Sequence, residues 1–194
     1  MKFVALDFET ANSCRSSICA VGIAKVIDGR IAERRSWLVR PKELRFDRIN
    51  VSIHGITPAA VKDKPLFGEL WPTVRDYFKD NCVIAHNASF DISVLRSALD
   101  EYRLPHPHVQ YHCSVILAKR TWVGLTNYRL NTLAAHLSIS LTHHDAEDDA
   151  VAAAEIVLRA SRFHSAASLD DLCARTGTRQ GLLYTGGWIP PRSR

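Results

Sequence analysis

The order of the predicted elements constrains the fold most: three strands come first, and helices and strands alternate after them. Residues 2–6 are apolar on both faces of a strand, which is typical of a central position in a sheet. Residues 18–27 and 31–39 predict two more strands, and Asp28-Gly29 between them favours a hairpin turn. This order predicts an α/β protein, with a mixed central sheet flanked by helices.

The rest of the chain supplies the helices and two shorter strands. Apolar side chains recur at helical spacing in residues 66–78, and Pro105 and Pro107 end a helix that begins at Phe90. Helices are predicted over 58–61, 66–78, 90–102, 130–137, 146–163 and 168–175, with a polar loop at 41–50, a buried strand at 82–85 and a strand followed by a helix in 109–119.

Length and composition indicate one main domain with an extension. The 194 residues are 46% hydrophobic and 23% charged, the balance of an ordinary globular protein. Because periodicity weakens after His164, we predict a domain over 1–163 and a C-terminal extension or tail over 164–194. Within it, residues 177–194 are rich in Gly, Pro and Arg and carry Tyr184 and Trp188, so this tail either packs locally, is disordered, or stacks on nucleic acid.

Charge and cysteine content narrow the compartment and the partners. No apolar stretch is long enough for a membrane span or a signal peptide. The five cysteines are odd in number and lack CxxC spacing, which favours reduced thiols in a cytoplasm. The net charge of +5 is mild support for a polyanionic partner. Basic residues concentrate in 30–48, where they either offset the charge of an acidic centre or form a solvated face.

The first candidate functional residues are Asp7 and Glu9, at the end of the first predicted strand. Residues two apart in a strand project from the same face. Two carboxylates held this close repel each other unless a cation lies between them. Taken alone the pattern is weak, because turns after strands often carry acids.

Asp91 is a third acid, in the first turn of the predicted helix over 90–102. The helix dipole favours an aspartate there. The positions on the same helical face, however, are Val94, Leu95, Ala98 and Leu99, so Asp91 is predicted to point inward. A buried carboxylate must be paired or bind a metal ion.

The run from His144 to Asp149 supplies the last acid and a histidine. If Asp145 caps the following helix, His144 and Asp149 occupy positions whose side chains meet across the helix start. The face of Asp149 continues through apolar residues, whereas the face of Asp148 is more polar. Asp149 is therefore the functional candidate, and Asp145, Glu147 and Asp148 are predicted to cap the helix and complement its dipole.

Together these positions predict a site for hard cations. Oxygen-only ligands favour Mg²⁺ or Mn²⁺, and four carboxylates suit two ions that assist phosphodiester cleavage. A neutral His144 near the attacking water would be the general base.

These motifs resemble the DEDDh 3′–5′ exonucleases, the family of the epsilon subunit of bacterial DNA polymerase III. Residues 7–10 (DFET) match its first motif, residues 85–91 (AHNASFD) the second, and His144 with Asp149 the third. Residues 53–57 (IHGIT) resemble a loop of epsilon-like members. Many relatives carry Asp-Thr where this chain has Cys113-Ser114, which is not a metal-ligand position.

The resemblance implies a ribonuclease H-like fold and two divalent ions held by Asp7, Glu9, Asp91 and Asp149. It implies His144 as the base and release of 5′-mononucleotides from the 3′ end of DNA, single-stranded or frayed, in replication or repair, with a polymerase or repair protein as a candidate partner. The positions expected near the terminal nucleotide are Thr10, His54, Asn87 and Phe90, and Phe90 is equally compatible with the core.

Three alternatives stay open at this point. RNA trimming is the main one, because the four acids do not distinguish the two nucleic acids; a discriminating protein reads the 2′-hydroxyl. A non-catalytic nucleic-acid-binding module would be expected to have lost some of the five residues, and all are present. An HD-type phosphohydrolase centred on residues 143–145 would be nearly all helical, which the early strands argue against. The oligomeric state is not predicted.

Overall fold

The predicted strand-first order is present in the computed structural model, which describes residues 1–193. β1 (Phe3–Thr10), β2 (Ile18–Ile27) and β3 (Arg30–Leu38) pair antiparallel in sequence order. Asp28 and Gly29 form the turn between β2 and β3, and both have positive φ. Glycine and aspartate tolerate that conformation better than most residues, which is why this dipeptide makes the hairpin.

The sheet is mixed, as expected, and it contains more strands than the sequence predicted. β4 (Val83–Ala85) lies parallel to β1, and β5 (Val109–Cys113) lies parallel to β4. The C-terminal segment adds β6 (Thr178–Arg179), β7 (Gly181–Tyr184), β8 (Gly187–Ile189) and β9 (Arg192–Ser193). The main sheet has seven strands in the order β3-β2-β1-β4-β5-β7-β8, and β6 pairs with β9.

Helices cover both faces of this sheet. None of those in residues 1–193 combines the length and apolarity that a membrane crossing requires. The helices are α1 (Arg48–His54), α2 (Pro58–Val61), α3 (Phe67–Phe78), α4 (Ser89–Glu101), α5 (Ser114–Thr121), α6 (Leu130–Leu137), α7 (Ala146–Phe163) and α8 (Leu169–Thr176).

The alternation of side chains along β1 divides the core into two layers. Val4, Leu6 and Phe8 belong to the layer that contains the buried faces of α3 and α4. Phe3 and Ala5 belong to the opposite layer, with α7 and α8. By the same period of two, the next odd positions of β1 face α7. The strand therefore directs its two acids toward the start of that helix.

α7 packs close to the sheet because the side chains at the contact are small. Its buried face carries alanines at 150, 153, 154 and 160. Gly22 of β2, which pairs with Asp7, lies under the first turn of α7, where an added Cβ would be 1.8 Å from the carbonyl oxygen of Ala146. Only glycine lets the helix start this close to the sheet.

The residues set apart from the main domain, 164 onward, are ordered structure up to Ser193. β7 pairs with β5 and buries Leu183 completely, and His112 Nε2 of β5 lies 3.0 Å from Thr178 Oγ1. His112 Nδ1 accepts the backbone N–H of Cys113, so Nε2 carries the ring proton and donates it to the Thr178 hydroxyl, which ties β6 to the buried histidine. Of the alternatives for the C-terminal tail, local packing is the one observed up to Ser193, and Arg194 lies outside the described residues.

One expected loop is partly a helix. Residues 41–50 were predicted as a polar loop, but α1 begins at Arg48 and ends at His54, and the following Gly55 adopts the left-handed conformation. α1 buries none of its side chains, so it leaves no apolar periodicity in the sequence. The remaining predicted helices and strands are present, with boundaries shifted by a few residues at most.

Candidate active site

The acids predicted on β1 and α7 lie together. Oxygen atoms of Asp7, Glu9 and Asp149 are all within 4.8 Å of one another. Asp7 and Glu9 share the α7-facing side of β1, and Asp149 lies in the first turn of α7. The close packing of α7 on the sheet at Gly22 brings the two elements to this distance.

Asp91 approaches the same cluster from α4. A sharp turn at Asn87, which has a φ of 64°, carries the chain from β4 into this helix. The Asp91 side chain is 1% exposed, and its Oδ1 accepts a hydrogen bond from the backbone N–H of Phe8 at 3.2 Å. Its Oδ2 is buried and has no hydrogen-bond partner within residues 1–193. An unsatisfied buried carboxylate oxygen is costly, so a missing partner is expected there.

The helix cap at Asp145 is present as predicted. Its side chain accepts hydrogen bonds from the backbone N–H groups of Glu147 and Asp148. The contact between Asp149 and the preceding loop differs from the prediction, however. The ring of His143, not that of His144, lies 3.1 Å from Asp149 Oδ1, whereas His144 donates its backbone N–H to Oδ2.

His144 has a positive φ of 68°, and one of its ring nitrogens lies within 4.8 Å of ligand atoms of both His143 and Asp149. The rings of His143 and His144 stack with centroids 3.8 Å apart. Asp149 therefore contacts His143 through its ring and His144 through its backbone N–H. His144 remains in the cleft beside the acids.

Crowding changes the acidity of every group in the cluster. Burial, and then the neighbouring carboxylates, raise the pKa of Glu9 to about 8 and hold that of Asp7 well above its usual range. Burial raises the pKa of Asp91 to about 8, although the Phe8 N–H opposes the shift. Burial and the neighbouring His143 lower the pKa of His144, which keeps its imidazole neutral near pH 7.

These shifts make a prediction for the protein without metal ions. A carboxyl whose pKa is higher in the folded state stabilises the fold fully at low pH, and this contribution is lost as the pH rises through the folded-state value. For Glu9 and Asp91, the window runs from about 4 in the unfolded chain to about 8 in the folded one. We expect the melting temperature in EDTA to fall between pH 5.5 and 8.5. Thermal unfolding followed by circular dichroism measures it, and a rise over this range would contradict the shifts.

The donor set fits divalent cations. It consists of carboxylate oxygens with one buried oxygen left unpartnered, and no lysine or arginine in residues 1–193 forms an ion pair with Asp7, Glu9 or Asp91. Hard oxygen ligands with uncompensated negative charge are what Mg²⁺ and Mn²⁺ prefer. The chain therefore carries a metal-competent acidic centre.

Asp7, Glu9 and Asp149 line a cleft of about 640 Å³. The four positions expected near a terminal nucleotide, Thr10, His54, Asn87 and Phe90, all line it. His54 lies with Nε2 3.2 Å from the carbonyl oxygen of Thr10, so α1 and the end of β1 are joined at the rim. Phe90 is half-buried, with the guanidinium of Arg15 4.4 Å from its ring centroid.

The cleft also contains residues that sequence reasoning did not single out. They are His86, His143, Lys119, Tyr128 and Arg129. Lys119 lies in the last turn of α5, and Tyr128 and Arg129 directly precede α6, with no motif around them, so only the fold reveals them. His143 was considered only within the HD-type alternative, and its contact with Asp149 was not predicted.

His86 links the cleft wall to its floor. Tyr128 O can only accept a hydrogen bond, so His86 Nε2 donates to it at 3.0 Å, and Nδ1 accepts from the hydroxyl of Ser114 at 2.8 Å. Burial lowers the pKa of His86 to about 4, which keeps this neutral pattern. The Cys113-Ser114 departure from the family motif thus places a hydroxyl against His86, away from the acids.

The comparisons with known proteins agree with this geometry. A family model described as "Exonuclease" (RNase_T) matches residues 4–157. A PolC-type DNA polymerase III of Caldanaerobacter subterraneus subsp. tengcongensis is 30% identical over 161 residues, 81% of this chain but only 11% of that polymerase. Exodeoxyribonuclease 10 of Escherichia coli K12 is 31% identical over 158 residues, 79% of this chain and 66% of that enzyme.

Among solved structures, exonuclease X in complex with 5′ overhanging duplex DNA is similar, with a TM-score of 0.71 and 28% identity. The similarity covers 90% of this chain and 99% of that one. The family match includes all four clustered acids and both stacked histidines. The chain belongs to the RNase_T exonuclease family, the DnaQ-like, DEDDh-type exonucleases, and has a ribonuclease H-like fold.

Proposed function

We propose that the chain removes 5′-mononucleotides from the 3′ end of DNA, using two divalent cations held by Asp7, Glu9, Asp91 and Asp149. The observation that carries this proposal is the buried, unpartnered Oδ2 of Asp91, beside three further carboxylates at the bottom of an open cleft. Mg²⁺ or Mn²⁺ bound there would offset the negative charge of the acids and stabilise the attacking and leaving oxygens of the phosphodiester.

His144 is the proposed general base. It lies in the cleft with Asp149, and burial together with the adjacent His143 lowers its pKa. A neutral imidazole has a free lone pair, so it can take a proton from the attacking water. His143 stacks on His144 and is itself held by Asp149, which restricts the motion of the base.

The rim residues are proposed to hold the terminal nucleotide. Thr10 and Asn87 offer polar groups on either side of the acids, and His54 joins α1 to that rim. Phe90 offers a ring face against which a base or sugar can pack. Lys119 and Arg129, which also line the cleft, would supply positive charge for phosphate.

DNA is the first-choice substrate, because the relatives include an exodeoxyribonuclease and a nuclease solved with duplex DNA. RNA trimming is the second candidate, since the four acids would hold cations against phosphate oxygens, which both nucleic acids share. The likeness to PolC-type polymerases supports a role beside a replication or repair polymerase, in the cytoplasm.

Purified protein with Mn²⁺ should shorten a 5′-labelled single strand into a ladder of products that each lose one nucleotide. EDTA should stop the reaction, and matched DNA and RNA strands run in parallel should show faster loss of DNA. Denaturing gels resolve the ladder. Internal cleavage, shortening from the 5′ end, or no cleavage with either Mn²⁺ or Mg²⁺ would contradict the proposal. Faster loss of RNA would favour the second candidate.

A further inference from the structure

A second cavity, of about 380 Å³, adjoins the acidic cleft. Asn87 and Val115 line both the cleft and the cavity, so a linear polymer that extends out of the cleft can enter the cavity. One wall is a face of α4 and the opposite wall is the C-terminal arm around Trp188 and Pro190. The segment beyond the family match therefore closes one side of the cavity.

Arg96 gives this cavity an unbalanced positive charge. It lies on the α4 face that also carries Ser89, Ile92 and Ser93. Its guanidinium carbon is 3.5 Å from the ring centroid of Trp188, and its Nε is buried without a hydrogen-bond partner. No carboxylate in residues 1–193 forms an ion pair with it. A partly buried cation without a counter-charge is costly unless an anion binds.

The remaining wall suits a nucleobase. The Trp188 side chain is 48% exposed, although large aromatic residues are usually covered. Aromatic rings beside an arginine bind nucleotides by stacking on the base and pairing with the phosphate. The cavity has room for one base and lies next to a cleft that accepts a nucleic-acid end.

We propose that this cavity binds one nucleotide of the same nucleic acid whose 3′ end lies in the cleft. Its phosphate pairs with Arg96, and its base packs against Trp188. The inference rests on the proposed function, since it needs a 3′ end in the cleft. The nucleotide comes either from upstream in the substrate strand or from the complementary strand of a duplex with a recessed 3′ end; both present the same chemistry.

The test compares Arg96→Gln and Trp188→Ala with the parent on three substrates. Single strands of two to ten nucleotides probe the upstream source, a 5′-overhanging duplex probes the complementary strand, and the p-nitrophenyl ester of thymidine 5′-monophosphate occupies the cleft alone. For Arg96→Gln we expect the KM for a long strand or for the duplex to rise about tenfold relative to the KM for the ester. If the KM of Arg96→Gln rises with the length of the single strand, the bound nucleotide belongs to the substrate strand. If the KM rises only for the duplex, the nucleotide belongs to the complementary strand.

Salt dependence separates phosphate binding from a structural role. Loss of one phosphate contact should lower the slope of log KM against log salt by about 0.7 for a single strand. Arg96→Lys keeps the charge and should keep the slope, and Arg75→Gln, at an exposed position on α3, is the matched control. Equal KM ratios in parent and Arg96→Gln would overturn the inference, as would an equal rise for ester and polymer. A parent without exonuclease activity would instead overturn the proposed function.

Discussion

Asp91→Asn should lower the exonuclease rate by about 10³-fold, since loss of one charged ligand removes several kcal/mol of transition-state stabilisation. Asparagine keeps an oxygen that can accept the Phe8 N–H, so the turn of α4 stays in place. What disappears is the second carboxylate oxygen, which is buried and lacks a protein partner. The effect is therefore on the ion site and not on the fold.

The same substitution should raise the melting temperature of the metal-free protein at pH 8. In the parent at this pH, four crowded acids either repel one another when charged or must bind protons, and both destabilise the fold. Asp91→Asn removes one of these acids. Addition of Mn²⁺ should then stabilise the parent more than the variant. Asp100→Asn, at the exposed end of the same helix, is the control and should leave both rate and melting temperature near the parent values. Full activity of Asp91→Asn would remove it from the site.

Gly22→Ala should lower the rate by about 10²-fold, because a displacement of about 1 Å at a reacting centre costs that much. The new Cβ would meet the backbone of Ala146 at 1.8 Å, and no side-chain rotation relieves a clash with a carbonyl. α7 must move away from the sheet, and Asp149 and the two histidines move with it. Overpacking of this kind also destabilises a fold by about 1–3 kcal/mol.

Steady-state kinetics below the melting temperature distinguish displacement from unfolding. We expect kcat to fall and the apparent affinity for Mn²⁺ to weaken, while circular dichroism stays close to that of the parent. Ser36→Ala, directly opposite Gly22 on β3, tests whether any change in this ladder has the same effect. If Gly22→Ala retained parental kcat, the close approach of α7 would not be what positions Asp149.

The sequence was sufficient for the parts of the site that depend on local periodicity. Period two placed Asp7 and Glu9 on one face, and helical spacing turned Asp91 and Asp149 inward. The cap at Asp145 was also accessible, because capping involves only neighbouring residues. What period and spacing could not give was the ring contact of Asp149, which is made by His143 and not by His144.

The rest depended on contacts between distant segments. α1 buries no side chain, so nothing in its pattern distinguished it from a loop. The short strands β6 to β9 are held by pairing with β5 and with each other, and two to four residues carry too little alternation to be recognised. The proximity of Arg96 to Trp188 joins positions 92 residues apart and has no local signature.

The attachment of β7 to β5 determines how short a fragment of this chain can be while keeping its behaviour. A piece cut after Phe163 would contain every acid of the cleft but would expose the backbone edge of β5 along Val109, Gln110 and Tyr111. A bare apolar edge of this kind recruits strands from other molecules. The shared nuclease segment would then self-associate. Residues 164–193 therefore cover the edge of the sheet on which the active-site acids lie.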